Sequence, residues 1–136
     1  MKESGAEMEK LFLALSDWTR LRLLNLMGED EVCVCYFVEV LSEGQPKISR
    51  HLAYLRRAGI VGARRDGRWM HYRVLPPANV FAARILADVQ AWLQEEEQMQ
   101  SDRARLASLC SATCTVPHLI DAPRPLRLAS NPCLPE

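Results

Sequence analysis

Apolar side chains recur at helical spacing near the N-terminus. Between Met8 and Leu15 they fall at positions 8, 11, 12 and 15, on one face of a first predicted helix. Either Ser16 or Asp17 can cap a second helix, because a short polar side chain there accepts a hydrogen bond from a free N–H of the first turn. The second helix is predicted to bury Leu21, Leu24 and Met27.

The pattern over residues 32–41 fits two structures. Its β-branched residues suit a buried strand, whereas inward-facing Phe37, Val40 and Leu41 suit a short helix. A helix is the better prediction, because the Ser-Glu-Gly sequence at 42–44 then makes a tight turn into the next helix.

The helix predicted after this turn has a narrow apolar stripe. Ile48, Leu52 and Leu55 repeat at i, i+4 and i+7. Pro46 fits the first turn, where a missing N–H costs nothing, and Gly59 fits just past the end. A short helix, a tight turn and a second helix make a helix-turn-helix, whose second helix enters the DNA major groove with its first residues at the base edges.

A hairpin is predicted to follow. Two β-prone runs, Ile60–Arg65 and Arg68–Val74, flank Asp66 and Gly67. This pair is typical of a type I′ turn, which needs positive φ, and glycine accepts it. The hairpin would be a wing whose arginines reach phosphates or the minor groove. The predicted fold is mainly α with a β-hairpin wing, a winged helix-turn-helix in the order α-α-α-α-β-β-α.

A long helical pattern starts at Ala78, after two prolines. Its apolar stripe comprises Ala82, Ile85, Leu86, Val89 and Leu93. Such a stripe can be intramolecular core, but small domains with apolar first and last helices often use them to dimerise, and a helix-turn-helix usually reads two half-sites. We therefore expect a homodimer formed through the first and last helices.

The chain divides into three predicted segments. Residues 1–100 form a winged-helix DNA-binding and dimerisation domain, and residues 101–116 form a helical extension carrying two cysteines. Residues 117–136 are rich in proline, which sustains neither helix nor strand, and are expected to be disordered.

Length and composition bound the class of protein. A chain of 136 residues favours one domain, and it has no apolar run long enough to span a membrane. The N-terminus is polar and lacks the apolar region of a signal peptide, so a cytoplasmic protein with no membrane partner is expected. Five cysteines, an odd number, argue for free thiols or soft-metal ligands over a disulfide framework.

Positive charge is concentrated in one stretch of a chain whose net charge is zero. Residues 45–74 hold eight lysines and arginines against one acid, Asp66, for a net charge of +7. A solvated basic face is the alternative, but a basic helix beside a basic hairpin tip favours contact with nucleic acid.

The candidate DNA-binding residues fall into two groups. On the helix they are Gln45, Lys47, Ser49, Arg50 and His51, and on the wing they are Arg64, Arg65 and Arg68. Glutamine can pair with adenine, and arginine or lysine with guanine, whereas the wing arginines suit phosphates or the minor groove.

Four motifs give the chain a family resemblance. ALSDWTRLRLL, CVC, QPKISRHLAYLRRAGIV and RRDGRWMHYRV resemble the ArsR/SmtB metalloregulatory repressors, in particular the arsenical-responsive ArsR branch, over about residues 8–93. The resemblance implies a winged-helix homodimer that binds double-stranded operator DNA and is released when a metal or metalloid binds. It also implies that Cys33 and Cys35 hold the inducer, As(III) or Sb(III), with no organic cofactor or small-molecule substrate.

The chain departs from the family pattern in two segments, and it also gains Cys110, Cys114 and Cys133 beyond the shared core. Trp18 stands where proline commonly begins the second helix, and Tyr36 and Val38 replace the Asp and third Cys of the CVCDLC pattern. The third ligand of an arsenic centre, which takes about three thiolates, is therefore left open.

The spacing of Cys33 and Cys35 suggests a mechanism. On an ideal helix, side chains at i and i+2 point about 200° apart, so both can hold one ion only where the backbone leaves helical geometry. Ligand binding would then distort the helix start and shift the two DNA-reading helices of the dimer. The alternative is that both are small buried core residues.

A second thiol pair lies near the C-terminus. Cys110 and Cys114 share one helical face, and with His118 or Cys133 they can form a secondary site, or lend a third sulfur to the first one. A packed helix end or a redox-labile pair explains them equally well. They keep open a second function, a same-fold repressor that senses Cd, Pb, Zn, an organoarsenical or thiol oxidation at the C-terminal cysteines.

An enzyme is the third hypothesis. The sequence has no CxxC motif, nucleotide loop or paired general acid and base to support it, so a protein without enzymatic activity is expected. A DNA-packaging role would instead predict binding that ignores both sequence and ligand.

Overall fold

The computed structural model describes residues 2–111, 116 and 119–125, with side chains from residue 5 onward. Its helices and strands run in the order α1 (Lys2–Leu15), α2 (Trp18–Met27), β1 (Val32–Cys33), α3 (Val34–Leu41), α4 (Gln45–Arg57), β2 (Val61–Asp66), β3 (Trp69–Val74), α5 (Val80–Glu95) and α6 (Glu97–Ser111). Helices α3 and α4 form the helix-turn-helix, and β2 and β3 form the wing, as the sequence predicts.

Side-chain caps fix the starts of α2 and α5. Asp17 accepts a hydrogen bond from the Arg20 backbone N–H at 3.0 Å, and Asn79 accepts from the N–H groups of Phe81 and Ala82. Each cap pairs N–H groups that the helix itself leaves free. Trp18 therefore occupies the first position of α2 with Asp17, one of the two predicted residues, as its cap.

The core lies where α2, α3 and α4 meet. The fully buried side chains here include Leu23, Leu24, Tyr36, Phe37, Ile48, Leu52 and Leu55. The Ile48–Leu52–Leu55 stripe faces inward as predicted, so the opposite face of α4 is left to solvent. Burying each such aliphatic side chain contributes roughly 1.5–3 kcal/mol, and this fixes the orientation of α4.

The prediction of one helix over residues 32–41 is wrong at its start. Val32 and Cys33 form a short strand that pairs antiparallel with β3, opposite Tyr72 and His71, and the sheet order is β1-β3-β2. The helix begins only at Val34. Local sequence supports both structures here, and the free edge of β3, far along the chain, decides between them by supplying backbone hydrogen bonds.

The hairpin turn also differs from its prediction. Asp66 pairs with Trp69, so the two turn residues are Gly67 and Arg68, one position later than expected. Gly67 has φ +59°, and it is the only one of the two with positive φ. This is the φ pattern of a type II′ turn, with glycine first, and not of the predicted type I′ turn.

Helix α6 packs against the winged-helix domain rather than extending from it. Met99, Leu106 and Cys110 are buried, and Asn25 on α2 donates a hydrogen bond to the Met99 carbonyl at 3.0 Å. The predicted boundary at residue 100 therefore falls inside a helix that contributes to the core. The apolar residues of α6 do not form one clear stripe, so its sequence does not reveal this role.

Part of the C-terminal segment lies against the same surface. Leu119 is buried, and the Tyr36 hydroxyl donates a hydrogen bond to the Ala122 carbonyl at 3.3 Å. Residues 119–125, which composition assigns to a disordered tail, thus pack on α3. The rest of the predicted tail, residues 117, 118 and 126–136, lies outside the described residues.

Candidate nucleic-acid interface and thiol site

The start of α4 presents its polar side chains to solvent. Gln45, Lys47, Ser49 and Arg50 are all exposed. Gly44 precedes the helix and has no side chain to cap it, so N–H groups of the first turn stay available to a phosphate. Four of the five predicted reading residues therefore occupy a surface that can face a groove.

His51, the fifth predicted residue, faces α2. Its Nδ1 lies 3.4 Å from Nη1 of Arg20 and 3.8 Å from the Asp17 carboxylate. Burial lowers the pKa of His51, and the nearby Arg20 charge adds to the effect while Asp17 opposes it. These contacts give His51 a role in packing α4 on α2.

The three wing arginines have different surroundings. Arg64 binds the Glu31 carboxylate with its guanidinium fork, at 2.6 Å for the shortest contact. Arg68 lies over the Trp69 ring, 4.5 Å from its centroid, and contacts Asp121 at 3.4 Å. Arg65 is exposed on the same strand as Arg64, and it is the wing arginine best placed to meet a phosphate.

Cys33 and Cys35 lie side by side, with their Sγ atoms 3.0 Å apart. Cys33 has an extended backbone, with φ −69° and ψ 141°, because it ends β1, and Cys35 belongs to the first turn of α3. The two thiols therefore converge at a strand-to-helix junction. The backbone at Cys33 thus departs from helical geometry, as one ion held by both thiols requires, and a distortion of the helix start on ligand binding stays a prediction.

Hydrogen bonding divides the two thiols into a donor and an acceptor. The Cys35 thiol donates to the Cys33 sulfur, which lowers the pKa of Cys33 against the opposing effect of burial. The same bond, together with burial, raises the pKa of Cys35. The thiolate is the soft-metal ligand, and of the two thiols Cys33 is the one whose ionised form the hydrogen bond favours.

Cys110 lies close to this junction but not in it. The thiol is buried in α6. The pKa of the Tyr36 hydroxyl is sensitive to charge on both Cys110 and Cys35. Burial raises the pKa of Tyr36, and negative charge on either thiol would raise it further. Tyr36 is thus within electrostatic reach of both thiols.

Further ligands for a metal centre are not assembled in the described part of the chain. Residues 2–111, 116 and 119–125 contain no cluster of three or more His, Cys, Asp or Glu that could hold a metal ion. Cys114, His118 and Cys133 lie outside the described residues, so a contribution from them stays a prediction. Two thiols fit a soft trivalent centre as a partial ligand set.

Searched over the same described residues, no helix is both long and apolar enough to cross a membrane.

Comparison with known proteins identifies close relatives. Residues 17–62 match the family described as "Bacterial regulatory protein, arsR family". The chain is 43% identical over 99 residues to the arsenical resistance operon repressor of Escherichia coli K12, covering 72% of this chain and 83% of the repressor. It is 41% identical over 100 residues to the arsenic resistance transcriptional regulator ArsR1 of Pseudomonas putida KT2440, covering 73% and 77%.

A solved structure agrees with these matches. The homodimeric winged helix-turn-helix DNA-binding domain Mb0332 from Mycobacterium bovis, a possible ArsR-family transcriptional regulator, superposes with a TM-score of 0.57 at 28% identity. The superposition covers 69% of this chain and 84% of that domain.

Proposed function

The chain belongs to the ArsR family of bacterial transcription regulators, and we propose that it represses an arsenic-resistance operon until As(III) or Sb(III) binds Cys33 and Cys35. The observation that carries the proposal is the 3.0 Å separation of the two sulfur atoms at the start of α3, the first helix of the helix-turn-helix. A ligand that bridges them acts directly on the element that supports α4.

The chemistry of inducer binding needs no general base. As(OH)₃ reacts with two thiols to give a dithiolate that keeps one hydroxyl, and two water molecules leave. Cys33 supplies the first sulfur, because its pKa is lowered, and its proton leaves with a displaced hydroxide as one of the two waters. Cys35 supplies the second sulfur, and closure of the ring fixes the strand-to-helix junction.

The DNA-binding form is proposed to be a homodimer. Phe12 and Leu13 on α1, and Phe81 and Trp92 on α5, are large apolar side chains that remain 45–61% exposed. Exposed apolar surface of this size is typical of an interface. Pairing through these helices would present two copies of α4 to successive half-sites of an operator.

The test follows operator DNA by fluorescence anisotropy while arsenite is added. Wild type should release the DNA, and a Cys33→Ser/Cys35→Ser protein should stay bound. Cys110→Ser is the matched control, because it also removes a buried thiol but leaves the junction intact, and it should release like wild type. Release of the Cys33→Ser/Cys35→Ser protein at the wild-type arsenite concentration would exclude the junction as the inducer site.

A second candidate function follows from the number of converging thiols. Because the described residues bring two sulfurs together and no third ligand, the same junction suits a monosubstituted trivalent arsenical, which has only two exchangeable groups. Phenylarsine oxide and arsenite titrated against the same protein–DNA complex separate the candidates. Release at a much lower phenylarsine oxide concentration favours the organoarsenical, and release at equal concentrations favours a third ligand from the C-terminal segment.

A further inference from the structure

Arg64 on the wing is held by an acid beside the thiol site. Its Nε lies 3.1 and 3.2 Å from the two Glu31 oxygens, and its Nη2 lies 2.6 Å from one of them. A guanidinium fork on a carboxylate is directional as well as strong. These three contacts hold the Arg64 guanidinium and the Glu31 carboxylate in one relative position.

The sheet places this pair next to the inducer site. Cys33 on β1 lies opposite His71 on β3, and His71 lies opposite Arg64 on β2, so the three residues form one row across the sheet. Directly paired residues of antiparallel strands point to the same face. Glu31 immediately precedes β1, two residues before Cys33. The thiol site and the wing are thus connected twice, by the row of paired strand residues and by the Glu31–Arg64 ion pair.

His71 lies between Cys33 and Arg64 in this row. The residue is only 4% exposed, with Nδ1 4.0 Å from Glu31 and Nε2 3.9 Å from Asp66. Its Nε2 has no hydrogen-bond partner among the residues that the structure describes. A buried imidazole this close to Glu31, which precedes β1, and to Asp66 on β2 leaves little room for β1 to move independently of the wing.

We propose that Glu31 is a coupling residue, which carries the displacement of Cys33 on inducer binding to Arg64 and so to the wing. The proposal rests on the inducer site argued above. In the ligand-free protein the Glu31–Arg64 pair fixes the wing strand β2 against β1. A bridge between Cys33 and Cys35 constrains the end of β1 and shifts Glu31. The wing is then held less firmly in the position that favours DNA binding.

This role differs from that of a DNA anchor. The Arg64 guanidinium is already occupied by a carboxylate, whereas Arg65 is free to face a phosphate. Loss of Arg64 should therefore change the response to the inducer more than it changes DNA affinity without inducer, and loss of Arg65 should do the opposite.

The experiment measures the ratio of operator Kd with and without saturating arsenite. Wild type, Glu31→Gln, Arg64→Gln and the double variant are compared by anisotropy, and arsenite binding is followed separately by intrinsic tryptophan fluorescence. Glu43→Gln is the matched control, because it breaks an exposed ion pair with Lys47 in the same way. Thermal unfolding verifies that every variant is folded.

The expected result is a reduced ratio in both single variants. Allosteric coupling commonly spans roughly 5–150-fold, and the ratio should fall toward 1 in Glu31→Gln and Arg64→Gln, with no further fall in the double variant. Arsenite affinity and the Glu43→Gln ratio should match wild type. Unchanged ratios in the single variants, or losses that add in the double variant, would overturn the coupling role.

The same data separate this inference from the proposed function. A wild-type ratio of 1 means that arsenite is not the inducer, and the coupling role then fails with the function on which it rests. A large wild-type ratio that Glu31→Gln and Arg64→Gln retain leaves the function standing and removes only the coupling role.

Discussion

Arg22 on α2 holds Asp102 on α6 at two points. Its Nε lies 2.7 Å from one carboxylate oxygen and its Nη2 lies 2.9 Å from the other. Asp102 is 3% exposed, and Gln98 also donates to it at 3.0 Å. The bond to Asp102 raises the pKa of Arg22. This ion pair joins the last described helix to the helix that supports the DNA-binding unit.

Removing Arg22 should therefore destabilise the whole domain. Arg22→Ala leaves a buried carboxylate without its charged partner, and breaking such a pair typically costs about 3–5 kcal/mol. The free energy of unfolding, measured with urea, should fall by an amount near the lower end, because Gln98 still donates to Asp102. Lys47→Ala breaks the exposed pair with Glu43 and should cost under about 1 kcal/mol. Equal losses in the two variants would contradict this account.

Arg50 and Arg65 should differ in how they bind DNA. Arg50→Ala removes the side chain on α4 that we propose reads a base, so it should cost about 1–3 kcal/mol on the preferred operator and relax specificity at one base pair. Arg65→Ala removes a proposed phosphate contact, so it should weaken binding to all sequences alike and flatten the salt dependence. Affinities for an operator and its single-base variants at several salt concentrations separate the two patterns. The same uniform loss for both would remove the distinction.

The exposed apolar residues of α1 and α5 should determine oligomeric state. Phe12→Glu places a charge in the proposed interface, and burying it there without a partner is unfavourable. The variant should sediment as a monomer at concentrations where wild type is a dimer, and its operator affinity should fall accordingly. Ala104→Glu adds the same charge at an exposed position of α6 and should remain dimeric. A dimeric Phe12→Glu protein would show that another surface pairs the subunits.

His51 should make stability depend on mildly acidic pH. Burial lowers its pKa in the folded state below the ordinary value of 6.5. Above that value the imidazole is neutral in both states, and below it the unfolded chain takes up the proton first, so the free energy of unfolding falls. His51→Gln should reduce the loss of stability between about pH 7.5 and 5.5. Parallel curves for variant and wild type would assign the pH dependence to other groups.

Local pattern was sufficient to predict the helix-turn-helix and the wing. The Ile48–Leu52–Leu55 stripe fixes which face of α4 is buried, and the other face is then exposed by geometry alone. The position of Gly67 was a less specific signal. It located the hairpin correctly, but the choice between type I′ and type II′ depends on how β2 and β3 align, which one glycine does not determine.

Partners distant in sequence account for what the pattern missed. Cys33 is in a strand because it pairs with the edge of β3. The Arg64 guanidinium forms an ion pair because Glu31 lies across the sheet from it. Neither residue has a local signal for this contact. The convergence of Cys33 and Cys35 follows from the same strand, because the extended backbone at Cys33 departs from the ideal helix on which the two side chains would point about 200° apart.

The contact between Arg22 and Asp102 also constrains the order in which a new chain acquires function. Eighty positions separate the two residues, and the Asn25 side chain likewise needs the distant Met99 carbonyl as its hydrogen-bond acceptor. During synthesis, α2 gains these buried partners only after α6 has left the ribosome, because domains fold as units once their long-range contacts are available. A nascent chain that already displays α4 and the wing still lacks the support of α6. Its operator binding is therefore expected only after α6 has been translated.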